Sequence, residues 1–516
     1  IKRVEMELKV KVLKWSAGLP VAMLNKKTAG RIGAHLQDRI SIKTLSKNPK
    51  EIFTIIDTIT GLVGETEIAV SSELKARLGL RIGQKVDIGL ASLPQSIFFI
   101  REKLKNKELS EKEINEIIQD IVNNSLSEAE IALFVSAMYK QGMSFKETIA
   151  LIKAILKSGN KFSLNKKFVA DKHSIGGIAG NRTTPIVVSI CAAGGLIMPK
   201  TSSRAITSAA GTADVLETLA QVEFSLDEVK KIIKKTNACM VWGGALGMVP
   251  ADSAIIKVEK ILGIDPEAQL LASIMSKKLA VGSKYIVIDI PHGKGAKVTK
   301  TKALVLKKKF EKLGRYFNKK LICVLTDGTE PIGNGIGPAL ELVDVIRVLD
   351  TNLQAPDDLE RKSLFLAGKI FELTGKAKKG KGFKFAREIL YSGKAFLKFK
   401  QIIEAQKGKL SLMADLIKRS KKDNSSNHWP VKFKKNILSD KSGKIIEINN
   451  KKINALARIT GCPADKFAGL YLFHHVGDKI KTNEKLLTIY SESKSRLKEA
   501  ADFCKNNNPI KVKNHN

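Results

Sequence analysis

Apolar and polar residues alternate with a period of two at Met6 to Leu13, Glu51 to Ile59 and Lys85 to Ala91, and Gly61, Gly64, Gly79 and Gly83 break the runs. That spacing predicts strands, so residues 1–92 are expected to form a small β-rich domain. After Pro94 the period changes. Ser110 with Glu113, Ser127 with Glu130 and Ser144 with Glu147 have the spacing of capping boxes, and Ile114, Ile117, Ile118 and Ile121 share one helical face. Residues 93–160 are therefore expected to be a helical subdomain. Gly142 and Gly159 mark helix ends in it, and Met138 with Tyr139 falls in its core.

Downstream, short apolar strands alternate with helices. Strands are expected at Phe168 to Ala170, Ala238 to Trp242, Tyr285 to Ile290 and Leu321 to Thr326. Helices are expected from Thr184, with Pro185 in its first turn, over Leu226 to Thr236, Pro250 to Ala280 and Pro338 to Leu349, and then to about Arg419. This makes residues 161–420 a mixed α/β lobe. Lys421 to Trp429 is polar, lacks periodicity and precedes Pro430, which reads as a linker. Residues 431–505 read as a small α+β domain, and Asn506 to Asn516 as a loose basic tail. The fold class is thus multidomain α/β: an N-terminal β-rich domain, a helical subdomain, a mixed α/β lobe and a C-terminal α+β domain.

Composition narrows the function classes. A chain of 516 residues with 43% hydrophobic content has material for several cores. No apolar run reaches membrane-spanning length and Met6 to Val12 lacks a signal-peptide block, so no membrane partner and a cytoplasmic location are expected. Five widely spaced cysteines argue for reduced thiols, with neither a disulfide framework nor a metal site. The net charge of +38 suggests nucleic acid, but the lysines are spread over the whole chain and aromatics are only 6%. That argues against a dedicated nucleic-acid binder, while a basic field still draws in small anions.

Phe168 to Asp214 carries the candidate chemistry. Between Asp171 and Asp214 there is no Asp or Glu, while Lys172, His173, Arg182, Lys200 and Arg204 lie inside, so the stretch is expected to be positive and to take an anion. Gly176, Gly177 and Gly180 let the main chain approach a ligand ahead of a helix start, where free N–H groups attract phosphate. A second loop repeats the scheme with the hydroxyls of Ser202, Ser203, Thr207, Ser208 and Thr212, the last able to cap a helix beginning near Val215. Two more glycine turns follow strands, H-G-K-G-A-K at His292 to Lys297 and G-N-G-I-G at Gly333 to Gly337, and the latter lacks the spacing of a dinucleotide fingerprint.

D-K-H-S-x-G-G at Asp171 to Gly177, followed by S-R-x-x-x-x-x-x-G-T-x-D at Ser203 to Asp214, resembles the nucleoside phosphorylase family that includes thymidine phosphorylase. The fuller strings G-N-R-T-T and K-T-S-S-R-A-I-T-S, with the N-terminal extension, are similar to its archaeal-type AMP phosphorylase branch. The likeness covers about Val4 to Tyr490. It implies phosphorolysis of a nucleoside 5′-monophosphate to free base and ribose 1,5-bisphosphate, a role in nucleotide salvage, no cofactor beyond the co-substrate phosphate, and a homo-oligomer of at least two chains. It also implies that 250–281 completes the helical subdomain. The closest alternative is a pyrimidine nucleoside phosphorylase acting on thymidine or uridine.

The resemblance carries roles to single positions. Lys172, Ser174, Gly176, Thr183, Ser202 and Thr212 match phosphate-contact positions, and His173 neighbours them, as either a structural or a reacting histidine. Gly177, Ser203, Arg204, Ala205, Ile206, Thr207, Ser208, Thr212, Ser273 and Lys297 match nucleotide contacts, although Lys297 alone reads equally as a surface lysine. Asp265 matches the proton donor. A departing purine is a poor anion, so a positioned acid lowers the barrier, and burial must keep that acid protonated. By itself, D-P-E at Asp265 to Glu267 reads as a helix cap. Two departures matter. Pro250-Ala251-Asp252 is followed by Lys257-Val258-Glu259, without the arginine that contacts pyrimidines in thymidine phosphorylase, while Ser273 and Lys277 match the later pair. Ala179 stands where the branch usually has proline, which bears on loop rigidity.

Overall fold

The computed structural model describes residues 5–12, 20–36, 38–160, 162, 164, 166–205, 208–421 and 429–514. The chain divides into two compact units, Ile1–Gly159 with Val249–Ser273, and Asn160–Met248 with Ile274–Asn516.

The first unit begins with a closed barrel of β1 (Glu5–Val12), β2 (Val21–Asn25), β3 (Arg39–Thr44), β4 (Glu51–Ile59), β5 (Glu67–Val70) and β6 (Lys85–Leu90) in the order β1-β5-β2-β4-β3-β6. Pairing of β1 with β6 closes it, so no strand edge is left open. Period-two alternation sends Leu8, Val10, Leu24, Ile40, Ile42, Ile56, Ile68, Val86 and Ile88 inward. Helices α1 (Lys26–Arg31) and α2 (Ser72–Leu78) accompany the barrel.

The helical part holds α3 (Ser96–Leu104), α4 (Glu111–Val122), α5 (Glu128–Gln141) and α6 (Phe145–Lys157). All three expected capping boxes form, at Ser110, Ser127 and Ser144. The four isoleucines of α4 are buried, and so is the ion pair of Lys103 with Glu147 at 2.8 Å. Met138 is core, but Tyr139 is 61% exposed, because it sits one position round the helix from the buried face.

The second unit holds the α/β lobe. Its strands are β7 (Ala170–Ser174), β8 (Met198–Ser202), β9 (Ala238–Trp242), β10 (Tyr285–His292) and β11 (Lys320–Asp327), and its early helices are α7 (Thr183–Ala193), α8 (Thr212–Leu216) and α9 (Leu226–Thr236). The stretch expected to return as one helix is two, α10 (Pro250–Leu262) and α11 (Glu267–Ala280), and the division between the units falls inside α11. Then come α12 (Lys300–Tyr316), β12 (Gly335–Ile336), α13 (Pro338–Leu349), α14 (Asp357–Thr374), α15 (Gly382–Tyr391), α16 (Lys394–Ala405) and α17 (Leu410–Lys421). The lobe's core gathers the apolar α7 with α13, α14 and α16.

The C-terminal part comprises β13 (Phe433–Leu438), β14 (Gly443–Ile448), α18 (Asn450–Ile459), β15 (Gly469–Leu472), β16 (Lys479–Ile480), β17 (Lys485–Ser491), α19 (Lys494–Asn507) and β18 (Ile510–Lys513). It is bonded into the lobe, since β12 joins β15, β17 and β13 in one four-stranded sheet. The expected loose tail is instead β18, paired with β14 and burying Ile510 and Val512. Most of the expected linker lies outside the described residues, but its last residue, Trp429, is buried and donates from Nε1 to the Phe467 carbonyl at 2.8 Å.

Candidate functional site

Strands β7 to β11 all run parallel, in the order β11-β10-β7 and β8-β9, with β7 and β8 bridged at Val169 and Ile197. The chain leaves β7 toward β8 and β9, then returns on the other side as β10 and β11. The strand order therefore reverses at β7, and the loops after β7 and β10 border the crevice at such a switch point.

The strand at the centre is longer and more polar than the residues foretold. Only Phe168 to Ala170 was expected to be extended, whereas the polar run Asp171 to Ser174 is itself strand. Its charges are satisfied by residues distant in sequence. Asp171 pairs with Lys278 at 2.8 Å and Lys200 at 3.5 Å, and Lys200 Nζ also donates to the Lys172 carbonyl at 3.0 Å. The lysine thus occupies the seam where the β7–β8 ladder stops after the Val169 bridge.

Counting four residues on from that bridge brings His173 level with Thr201, and five brings Ser174 level with Ser202. Here His173 Nδ1, Ser174 Oγ, Thr201 Oγ1 and Ser202 Oγ are buried without hydrogen-bond partners among the described residues, as is Asn181 Oδ1 in the following loop. Buried polar atoms are normally paired, and leaving one unpaired costs about 1–3 kcal/mol. A cluster dominated by groups that can donate suits an anion.

Lys172 supplies the charge beneath them. It is buried, donates to Thr183 Oγ1 at 2.6 Å and Thr184 Oγ1 at 3.4 Å, and burial pushes its pKa down to about 7 against the pull of Asp289. Asp289 accepts from Thr326 Oγ1 at 2.6 Å and pairs with Lys362 at 3.3 Å. Burial and the surrounding lysines, Lys278 and Lys200 first, push His173 well below its ordinary value, so its imidazole is neutral. Thr183 opens α7, one residue earlier than expected, and the residue at its cap position, Arg182, makes no side-chain capping bond. The orphan N–H groups and dipole of that helix start favour negative charge.

Gly176, Gly177 and Gly180 have φ of +87°, +92° and +66°. A Cβ on Gly180 would lie 2.3 Å from the Ile332 carbonyl, and one on Gly177 would lie 3.0 Å from Lys297 Cβ. Lys297 is therefore part of this site: the turn after β10 lays it against the first loop, and its Nζ reaches the Ile175 carbonyl at 3.5 Å.

The second loop corrects the expectation of a positive stretch. Arg204 is engaged by Asp214 at 3.4 Å, Glu217 at 2.7 Å and Glu223 at 2.8 Å, and lies 4.8 Å over the Trp242 ring. Its hydrogen bonds hold the Glu217 carboxyl down to about 2. Arg182 is likewise paired, with Glu341 at 2.6 Å, and bridges the loops by donating to Thr212 Oγ1 and the Ala210 carbonyl. Absence of acids along the sequence did not leave these cations open, because folding brings acids from elsewhere. Thr212 is not the cap of α8. Gly211 holds that position, and Asp214 Oδ2 accepts from both Gly211 and Ala205 N–H at 2.7 Å. Ser203 is exposed and Ser208 donates to the Ala210 carbonyl, while Ile206 and Thr207 lie outside the described residues.

Asp265 and Ser273 belong to the first unit. Asp265 is half-buried just ahead of α11, whose Leu270 N–H bonds the Pro266 carbonyl, and Ser273 is half-buried on that helix. Reasoning from sequence missed Thr201 and Asn181, although both stand inside the quoted T-S-S and G-N-R strings. It also missed the Asp289–Lys362 support, for which no local signal exists. Among the described residues no helix is long and apolar enough to cross a membrane, and no group of three or more His, Cys, Asp or Glu is placed to hold a metal.

Comparison with known proteins agrees with this architecture. The glycosyl transferase family helical bundle domain matches residues 98–159, the α/β domain of the same family matches 166–396, and the pyrimidine nucleoside phosphorylase C-terminal domain matches 444–511. The solved anthranilate phosphoribosyltransferase of Thermus thermophilus shares the fold, with a TM-score of 0.50 and 19% identity over 60% of this chain and 99% of that one. Over its whole length the chain is similar to AMP phosphorylases. It is 44% identical to that of Pyrococcus horikoshii and 45% to that of Pyrococcus abyssi, each over 98% of both chains. With that of Methanococcus aeolicus it shares 40%, over 98% of this chain and 97% of the relative. The chain belongs to the AMP phosphorylase family.

Proposed function

We propose that this protein is a pentosyltransferase that phosphorolyses nucleoside 5′-monophosphates, AMP with CMP and UMP as further candidates, to free base and ribose 1,5-bisphosphate. The observation that carries the reading is the set of unpaired buried donors at the ends of β7 and β8, above Lys172 and the uncapped start of α7. Phosphate sits there, held by Lys172, His173, Ser174, Gly176, Thr183 and Ser202. The nucleotide is held by Gly177, Ser203 to Ser208 and Thr212 of the second loop, Ser273 and Lys297.

In this reaction a phosphate oxygen bonds to C1′ while the bond from C1′ to the base nitrogen breaks, and Asp265 gives its proton to the departing base. Lys172 near neutrality becomes fully charged as the dianion arrives, and neutral His173 offers one N–H. Lys297, packed on Gly177, is suited to the substrate's own phosphate. No metal or redox group has a part. The enzyme works in the cytoplasm, in nucleotide salvage, as a homo-oligomer.

A pyrimidine nucleoside phosphorylase is the second reading, favoured by the match of the C-terminal domain to that family. Base release from AMP, CMP, UMP, thymidine and uridine with phosphate separates the two. Release from nucleotides is expected, and activity on thymidine with none on AMP overturns the proposal.

A further inference from the structure

Both loops lean on one helix that none of the motifs includes. In α18 the Asn450 Oδ1 accepts from Ala179 N–H of the first loop at 3.1 Å, while its Nδ2 donates to the Gly328 carbonyl, after β11, at 3.0 Å. One turn later, Asn454 Oδ1 accepts from Ala209 N–H of the second loop at 2.9 Å. A further turn on, Arg458 donates to the Ser208 carbonyl at 3.1 Å. Residues spaced by four share a helical face and rise about 6 Å per step. Asn450 and Asn454 are 0% and 5% exposed, and Ala179 and Ala209 lie in one apolar cluster with Ile453, Leu456 and Ala457 of α18. Ala179 thereby supplies an N–H that a proline there would lack.

We infer that α18 sets the spacing of the two loops, with Asn450 and Asn454 as positioning residues for the phosphate and nucleotide sites. This rests on the phosphorolysis reading, because only a reaction needing both anions at a set separation makes the spacing matter. Neither asparagine touches a proposed substrate position. Each acts through a backbone N–H that it holds.

The test compares the full-length protein with Asn450→Ala and Asn454→Ala, using AMP and inorganic phosphate as substrates. Asn454→Ala is expected to raise KM for AMP about tenfold while KM for phosphate stays within about twofold, and Asn450→Ala to do the reverse. In amide exchange read by mass spectrometry, each variant should speed exchange in its own loop, 203–212 or 175–182, and not in the other. General weakening of the fold would lower Tm and the active fraction with both KM values unmoved. That outcome, or unchanged exchange in both loops, overturns the inference. Failure of wild-type protein to release base from any nucleoside monophosphate sinks the substrate reading instead, and loop exchange still decides the role of α18.

Discussion

Lys172 shows how much a single buried charge does here. Its ammonium donates to two hydroxyls, and burial pushes it from an ordinary 10.5 to about 7. Between those values the unfolded chain binds more protons than the folded one, so this residue makes stability rise with pH from 7 toward 10.5, by up to about 1.4 kcal/mol per pH unit. Thermal unfolding across that window should show the rise in the parent and a flatter slope in Lys172→Met. The same variant should lose about 10²–10³ in kcat/KM for phosphate without a lower Tm at pH 7, since an apolar isostere replaces a costly buried ion. Backbone matters equally at Gly177. With φ at +92° and Lys297 Cβ 3.0 Å from where a methyl would sit, Gly177→Ala should cost about 1–3 kcal/mol in denaturant unfolding and sharply reduce turnover. Sequence reading singled out both residues. It could not foresee the neutral state of His173, which comes from burial beside lysines at 200 and 278.

Among the elements, helices of the first unit were legible because their signals are local. A capping box needs only residues three apart, so all three were found from spacing alone. Ser110→Ala should therefore cost about 1 kcal/mol of stability, seen in thermal unfolding, and leave KM for both substrates unchanged. The strand–loop boundary at β7 was not legible, since Asp171 to Ser174 is polar and its partners come from β8, β10 and α11. The electrostatics of the second loop are hidden in the sequence for the same reason. Arg204 braces it through Glu217, Glu223 and Asp214 instead of presenting open charge. Arg204→Lys keeps the charge but loses the fork on Glu217 and the stacking on Trp242, so nucleotide KM should rise severalfold in steady-state kinetics, with about 1 kcal/mol of stability lost after solvent screening.

On the scale of the whole molecule, the C-terminal part is joined to the α/β lobe by a shared sheet and by α18, and it closes on the last strand, β18. Deleting residues 509–516 takes β18 from β14, which keeps only its short pairing with β16, and removes Ile510 and Val512 from the cluster they complete with Ile445 and Ile448. A loss of about 2–4 kcal/mol and a measurably lower Tm are expected. In the sequence that strand resembles a loose tail, because four alternating residues among lysines and asparagines carry little signal until a partner edge is present. What the linear chain settles for this protein is whatever depends on near neighbours: barrel strands from alternation, helix starts from caps, and glycine turns that can hug an anion. Which cations stay open to a ligand, which donors are left unpaired beneath it and which helix holds two loops apart are settled only by folding. Each of these depends on desolvation and on partners tens to hundreds of residues away, and no local pattern records either.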